Sequence, residues 1–294
     1  MVSYDPQFNK LEALIKSIED ETYDSNELNL STYVLTYEYY GYIKRLFRLL
    51  DFNPYINILN LSESSLSHCY SSELMKKLYS FLKTNNTITS LKLSHTCIES
   101  PQLISISNSL ISNSTLTSLN LNNNPHIGVK GIKALCDMLL TNNSITELNL
   151  EKCNIGSDCL KSISIVLKTN STLISLNLSN NSEINYKKKG MQLLCRSLKI
   201  NKSLTSLNLS NNSIRDDYIK MISEMLKINT TICELNLERN CLYKESYQSI
   251  CDVLKVNSTL TSLNLKECIE IHENIEYLLS EALTFNSTLT KLDL

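Results

Sequence analysis

One pattern of leucines and polar residues recurs along almost the whole chain. Its clearest copy, LTSLNLSNNSI at residues 204–214, places one polar residue between two leucines and an asparagine three residues later. The first leucine of each pair serves as a register mark, and successive marks are 28 to 32 residues apart. Self-similarity at this period predicts a solenoid, in which each copy buries its apolar face against its neighbours. The marks are Leu59, Leu91, Leu119, Leu148, Leu176, Leu207, Leu235, Leu263 and Leu292.

Within one copy the apolar period changes from two to 3.6. Leu204, Leu207 and Leu209 have the spacing of a half-buried strand and its approach. The apolar residues of the segment 219–226 then recur at helical spacing. One strand and one helix per copy predict an α/β fold, a right-handed solenoid with a parallel sheet on the concave face and helices on the convex face.

A second series of asparagines lies three residues before the first apolar residue of each strand segment. Asparagine tolerates the left-handed conformation in which many helices end. We therefore expect each member to cap the helix that precedes its own strand. The series is Asn53, Asn85, Asn113, Asn142, Asn170, Asn201, Asn229, Asn257 and Asn286.

The pattern also extends towards the N-terminus. Leu28 lies 31 residues before Leu59, but Thr22 replaces the asparagine, and residues 33–35 stand in place of the turn motif. We interpret residues 25–294 as a domain of about ten repeats, the first degenerate and the last truncated. Residues 1–24 are predicted to form an N-terminal capping helix, because apolar residues over 7–19 have helical spacing. The chain ends on a strand, so we expect a monomer or weak self-association through the C-terminal edge.

Local signals place some helix starts. Ser100 before Pro101 predicts a capping residue ahead of a first-turn proline. Gly128 and Gly131 indicate a turn in a neighbouring copy.

Composition and charge exclude several classes of function. The chain has 294 residues, a net charge of −2 and a pI near 6.1, which do not favour nucleic acid or an anionic membrane as partner. No apolar run approaches the roughly 18 residues of a membrane helix, and the N-terminal residues lack a secretory pattern. The ten cysteines are spread along the copies without metal-site spacing. We therefore expect a cytoplasmic protein with no cofactor, no metal and no active site.

The motif LxxLxLxxNxI, with a helix in each copy, resembles the ribonuclease-inhibitor subfamily of leucine-rich repeats over residues 25–294. That subfamily includes ribonuclease inhibitor, the sensor ends of NOD-like receptors, the GTPase-activating protein of Ran and effectors of intracellular bacteria. The resemblance implies a horseshoe that binds proteins, mostly through its concave face. It also implies that the turn asparagines Asn124, Asn181, Asn212 and Asn240 bond to backbone groups, with Ser64, Thr96, Cys153 and Cys268 as substitutes. The glycine that is usual at the helical turn is replaced by Cys159, Tyr218 and Ser246.

The strand positions that face the concave side are mostly asparagine and serine. Such a surface is neutral, and we expect its stacked amides to pair along the sheet. These positions carry no Trp, Tyr or Phe, the residue types that anchor many tight interfaces. If binding occurs elsewhere, the tyrosines Tyr218, Tyr243 and Tyr247 are the alternative contacts.

Charge gathers at two places on the predicted concave face. The first cluster is Glu147, Glu151 and Lys152. The second, called here the C-terminal cluster, is Glu234, Glu238, Arg239, Lys266, Glu267, Lys291 and Asp293. We hypothesise that both contribute to binding a protein and that Arg239 is the main single contact. A solvated, self-paired surface is the alternative.

The predicted function is a non-catalytic scaffold for protein–protein interaction. One alternative is a bacterial effector that acts on host proteins through the same face, in the host cytosol. The other is a GTPase-activating protein like that of Ran, for which Arg215 is the candidate residue, although the acids beside it also suit a helix start. The basic run at residues 186–189 lies in a 31-residue copy and is interpreted as a surface insertion.

Overall fold

The structure is a computed structural model that describes residues 6–31, 33, 39–64, 73–268 and 275–294. Strands and helices alternate through this part of the chain, and a short 3₁₀ helix (Ser182–Asn185) precedes α7. The strands are β1 (Glu27–Asn29), β2 (Ile58–Asn60), β3 (Ser90–Lys92), β4 (Ser118–Asn120), β5 (Glu147–Asn149), β6 (Ser175–Asn177), β7 (Ser206–Asn208), β8 (Glu234–Asn236), β9 (Ser262–Asn264) and β10 (Lys291–Asp293). The helices are α1 (Pro6–Glu19), α2 (Tyr40–Leu50), α3 (Glu73–Thr84), α4 (Ser100–Leu110), α5 (Gly128–Leu139), α6 (Ser157–Thr169), α7 (Lys188–Leu198), α8 (Asp216–Leu226), α9 (Lys244–Leu254) and α10 (Ile275–Phe285).

The strands form one parallel sheet in the order of the sequence. Each register mark lies opposite the mark of the next strand, as Leu28 does opposite Leu59 and Leu207 opposite Leu235. Both leucines of each pair before the last point into the space between sheet and helices, where Leu207 and Leu209 are 1% exposed, whereas Leu294 of the last pair is 58% exposed. The apolar face of each helix fills the same space and joins one continuous core. The predicted α/β solenoid is confirmed.

The asparagines before the strands do not adopt the left-handed conformation, and that prediction is wrong. Asn170, for example, has φ −68°. Asn142 follows α5, and its amide nitrogen donates to the carbonyls of Leu110 at 2.9 Å and Asn113 at 2.7 Å. Its amide oxygen accepts from the N–H groups of Ser144 and Ile145, both at 3.0 Å. Leu110 is the last residue of α4, so the side chain caps the helix of the preceding repeat and orders its own loop.

The asparagines after the strands join two turns in a similar way. The amide nitrogen of Asn240 donates to the carbonyls of Leu209 at 3.0 Å and Leu237 at 2.7 Å. Its oxygen accepts from Asn212 N–H and Ile214 N–H at 3.0 Å. Leu209, Asn212 and Ile214 all belong to the preceding repeat, so the expected structural role of this series is confirmed.

The left-handed conformation occurs instead at the residue just before each of these turn positions. Eight successive repeats have φ between +52° and +61° there. In seven of the eight, the N–H group donates to the next repeat, as Arg239 does to Lys266 O at 2.9 Å. The backbone therefore needs this conformation whatever the side chain. The eight residues are Glu63, His95, Asn123, Lys152, Asn180, Asn211, Arg239 and Glu267.

The predicted N-terminal helix is present as α1. Leu11 and Ile15 are fully buried against the first repeat. Arg45 of α2 bonds to Glu19 at 2.8 Å and to Glu12 at 3.1 Å across the helix pair. Residues 34 and 35 of the degenerate turn motif lie outside the described part, and the division of the chain at residue 24 stays a prediction.

Neighbouring helices approach most closely where the first turn carries glycine. A Cβ added to Gly190 of α7 would lie 2.7 Å from the Cα atom of Ser157 in α6. In α8, Tyr218 holds this place, and its buried side chain donates through the hydroxyl to Asn185 O at 2.9 Å. The prediction for α4 needs correction: Glu99, not Ser100, has the capping conformation, and the Ser100 hydroxyl donates to Ile127 O at 2.7 Å.

The nine described cysteines are free thiols, and most are buried in the core. Burial raises the pKa of Cys136, Cys153 and Cys195 to about 12, so these thiols stay protonated at neutral pH. Among the described residues no group of three or more His, Cys, Asp or Glu side chains is arranged to hold a metal ion.

Candidate functional site

The concave face is built mainly from the strand asparagines, and their amides do not pair along the sheet as expected. The amide oxygen of Asn208 accepts from Ser210 N–H at 2.9 Å, and that of Asn236 accepts from Glu238 N–H at 2.9 Å. Each side chain thus supports the exit of its own strand. Amide-to-amide contact occurs one turn further on, where Asn211 donates to Asn180. This face is polar and largely self-satisfied.

The C-terminal cluster is partly joined by ion pairs. Arg239 makes two parallel bonds to Glu267, from Nε at 2.8 Å and from Nη2 at 3.1 Å. Glu238 approaches the same guanidinium at 3.7 Å and accepts from Asn264 at 3.1 Å. The bond to Glu267 raises the pKa of Arg239 and, reciprocally, lowers the pKa of Glu267. Arg239 is thus held in one orientation at the edge of the sheet face.

The other members of this cluster are more loosely held. Lys291 pairs with Asp293 of its own strand at 3.1 Å. Glu234 and Lys266 are exposed and make no ion pair with any residue that the structure describes. The Arg239–Glu267 pair is exposed to solvent, which weakens it, so a partner can replace it at small cost. The cluster therefore offers both charge signs to a partner.

The first cluster is separate from the second, because β6 and β7 lie between them. Glu151 accepts from Asn180 at 3.1 Å and approaches Lys152 at 3.9 Å. Glu147 is exposed and has no ion pair within the described ranges. The structure therefore does not bring the ten predicted residues into one site.

Sequence reasoning missed a third charged group on this face. Glu27 of β1 accepts from Asn60 of β2 at 2.8 Å and from the ammonium of Lys92 in β3 at 2.9 Å. The bond from Lys92 is the main reason that the pKa of Glu27 is lowered. The signal was present, since Glu27 stands in the degenerate first repeat where later repeats carry concave-face Ser or Glu.

The profile of the TMOD/LMOD leucine-rich domain matches residues 158–294, and the leucine-rich repeat profile matches residues 84–107, 112–136 and 141–164. The chain is a leucine-rich repeat protein. These matches are consistent with the predicted assignment to the ribonuclease-inhibitor-like subfamily.

Curated proteins are similar to parts of this chain. Leiomodin-1 of Homo sapiens is 32% identical over 131 residues, which are 44% of this chain and 21% of that protein. NACHT, LRR and PYD domains-containing protein 9C of Mus musculus is 29% identical over 185 residues, which are 63% of this chain and 17% of that protein. The chain thus spans about a fifth of the length of these relatives. The matches support a protein-interaction scaffold.

A solved structure supports the fold. The leucine-rich repeat-containing protein LegL7 from Legionella pneumophila superposes with a TM-score of 0.62 and 23% sequence identity. The match covers 94% of this chain and 85% of that one.

The predicted alternatives to concave binding fall at defined places in the repeats. Arg215 is exposed and precedes α8. The acids beside it have structural roles, because Asp216 accepts from Ser246 N–H at 3.1 Å and Asp217 pairs with Lys188. The basic run is exposed beside the 3₁₀ helix, as expected of a surface insertion.

Two of the three tyrosines named as alternative contacts are unsuitable for that role. Tyr218 and Tyr247 are only 4% and 3% exposed. Burial raises the pKa of Tyr247 to about 12.

Within the described ranges no helix combines the length and apolarity needed to cross a bilayer.

Proposed function

We propose that this leucine-rich repeat protein is a non-catalytic scaffold whose concave face binds a protein partner. The C-terminal cluster is the main docking site in this proposal, with Arg239 as its principal contact. The face offers fixed charge against a neutral asparagine and serine background, which favours selection of a partner by electrostatic complementarity.

One observation supports this assignment above the others. Lys152, Arg239 and Glu267 of the two clusters, together with Glu63 and His95 of earlier repeats, occupy left-handed positions at which three other repeats have asparagine. A residue other than glycine or asparagine costs free energy in this conformation, and such strain is typical of functional sites. Side chains kept at a cost to the fold are candidates for binding.

The test reverses charge at the cluster. Glu234→Lys, Glu238→Lys and Arg239→Glu together change the net charge by +2 units and also break the bidentate pair. The expected result is loss of a specific protein that the unmodified chain captures from the cytosol of the cells that produce it. Asp137→Lys, an exposed change on α5, shifts net charge by the same +2 units and serves as the matched control. Capture that survives the triple reversal would remove the C-terminal cluster from the proposal.

The two other hypotheses have separate tests. Stimulated GTP hydrolysis by a small GTPase, abolished in Arg215→Ala, would support a GTPase-activating protein. Delivery of the chain into a host cell by its native organism would support the effector hypothesis. The scaffold remains the preferred function, since Asp216 and Asp217 beside Arg215 already serve the packing of neighbouring helices.

A further inference from the structure

The residue directly before each marker asparagine changes character along the chain. In the second to fifth of the nine repeats that contain this asparagine, it is a small polar residue: Thr84, Ser112, Thr141 and Thr169. In the four that follow it is apolar, and we call this set the edge row: Ile200, Ile228, Val256 and Phe285. The change falls within the segment 158–294 that matches the TMOD/LMOD leucine-rich domain.

The edge row is strongly exposed. Ile200 is 57% exposed, Ile228 54%, Val256 64% and Phe285 67%. Single exposed aliphatic residues are common on proteins, but a row repeated in four neighbouring units is not explained in that way. Its apolar area is on the order of a few hundred Å², the size of patch that marks interaction sites.

Hydrogen bonds between repeats place these residues side by side. Each directly precedes an asparagine that reaches the helix end of the repeat before it. Asn229 donates to Leu198 O at 2.7 Å, and Asn286 donates to Leu254 O at 2.8 Å. The Lys255 ammonium also lies 5.8 Å from the centre of the Phe285 ring, which belongs to the next repeat. The row is therefore continuous along one edge of the solenoid.

The backbone at this edge cannot receive an added strand. The N–H group of Ile228 donates to Met225 O at 3.0 Å, and that of Val256 donates to Val253 O at 3.1 Å. The N–H groups of Thr231 and Ile232 are taken by the Asn229 side chain. Strand addition needs a run of free N–H and C=O groups, so an occupant must contact this edge through side chains.

The surroundings of the row are positively charged. Four lysines flank it, and two have glutamate partners: Lys227 with Glu224 and Lys255 with Glu281. Lys199 has no ion pair among the described residues, and Lys202 bonds only to the Thr230 hydroxyl, at 3.3 Å. The carboxylate of Asp252 also acts on Lys227 and Lys255, so four lysines against three acids leave a net charge of +1. Part of this charge complements the carboxyl ends of the helices, but the excess faces solvent.

We propose that the edge row binds an amphipathic α-helix of a protein partner, with apolar residues towards the row and acidic residues towards the lysines. The spacing between repeats lies between that of strands, ~4.8 Å, and that of packed helices, ~8–10 Å. Four residues thus span roughly 15–30 Å, which matches three to five turns of helix. The site lies outside the concave face and does not depend on the C-terminal cluster.

The test replaces three residues of the edge row with threonine, which earlier repeats of the chain have at the same position. Ile200→Thr, Ile228→Thr and Val256→Thr together reproduce the threonines of the earlier repeats. The probe is a synthetic helical peptide with a leucine stripe flanked by glutamates, and its binding is followed by fluorescence anisotropy. We expect the triple variant to bind at least about tenfold more weakly than the unmodified chain, because three apolar contacts are lost.

A matched variant controls for general loss of apolar surface. Val129→Thr, Ile165→Thr and Ile174→Thr remove two isoleucines and one valine that are 50%, 56% and 46% exposed elsewhere. This control should bind the peptide as the unmodified chain does, and a sequence-scrambled peptide should not bind. Circular dichroism melting confirms that both variants fold.

Three outcomes would overturn the proposal. The first is equal peptide binding by the edge-row variant, or no binding by the unmodified chain. The second is binding to phosphatidylserine vesicles, lost in the edge-row variant, without peptide binding, which would identify a membrane surface. The third is a dimer in sedimentation velocity that only the edge-row variant abolishes, which would identify a second copy of the chain as occupant.

Discussion

The turn before each strand and the turn after it are built on the same side chain but tolerate change differently. The asparagine before the strand occurs in all nine repeats from Asn53 to Asn286. The position after the strand also accepts Ser64, Thr96, Cys153 and Cys268. Both positions bridge two repeats, so connection between repeats does not by itself explain the difference.

The difference lies in which bonds a smaller side chain can replace. After the strand, Thr96 still donates to Leu93 O at 2.8 Å, and the Cys153 thiol donates to Leu121 O at 3.2 Å. Before the strand, Asn142 must reach a helix end and also accept two N–H groups of its own loop. A hydroxyl is too short for both tasks. The position before the strand therefore needs an amide side chain, whereas the position after the strand mainly needs a hydrogen-bond donor.

The largest predicted effect is at the turn before the strand. Asn142→Thr removes bonds to the carbonyls of Leu110 and Asn113 and leaves the Ser144 and Ile145 N–H groups without their acceptor. Asn142 is 2% exposed. We expect a loss of about 2–4 kcal/mol in the free energy of unfolding, measured by urea titration.

The adjacent residue provides the control for this prediction. Asn143 is exposed, and Asn143→Thr should change the free energy of unfolding by less than about 0.5 kcal/mol. Equal effects of the two substitutions would show that the side-chain bonds of Asn142 do not stabilise the stack.

A smaller effect is predicted for the turn after the strand. Asn124→Thr introduces the residue that the preceding repeat already has there. It should keep a donor to a carbonyl but lose the acceptor for the N–H groups of Thr96 and Ile98. We expect a loss of about 1–2 kcal/mol in the same titration. A loss as large as that of Asn142→Thr would contradict the distinction between the two turns.

The smallest effect has the opposite sign. Arg239→Asn relieves the left-handed strain of a long side chain at φ +55° but breaks a surface ion pair. A solvent-exposed ion pair contributes little to stability, and we expect the relief of left-handed strain to outweigh its loss, so a small gain in stability is expected. The melting temperature should rise by about 1–3 °C while binding through the C-terminal cluster weakens.

The reciprocal change sharpens this prediction. Asn211→Arg, at the equivalent position with φ +52°, should lower the melting temperature. If both substitutions shifted the melting temperature in the same direction, the strain argument for Arg239 would be wrong.

The sequence predicted the fold well because the fold depends on a local and repeated signal. Leucine spacing alone placed Leu28 opposite Leu59, even in the degenerate first repeat. The conformation of the asparagines before the strands was mispredicted, because their function depends on a residue of the preceding repeat. Asn142 and Leu110 are 32 positions apart, and local conformational preferences do not predict a hydrogen bond between residues so distant in the sequence.

The candidate site was harder to predict from the sequence. The charged residues were predicted from their positions in the strand repeat. The pairing of Arg239 with Glu267, however, depends on the left-handed backbone conformation of both residues. The strand pattern does not reveal Ile228 and its equivalents, because these residues lie at or just after the end of a helix, before the next strand. An apolar residue directly before the marker asparagine in four successive repeats was the available signal.

The asparagine bridges also have a consequence for how such a chain changes length. Each bridge reaches only its own loop and residues about one period earlier in the chain, as Asn229 reaches Leu198, 31 positions before it. Excision of residues 201–228 would join Ile200 directly to Asn229 and recreate the same local sequence one unit earlier. Gene duplication or deletion in steps of one whole unit therefore needs no new bonding chemistry, whereas insertion of a few residues has to be accommodated in a loop.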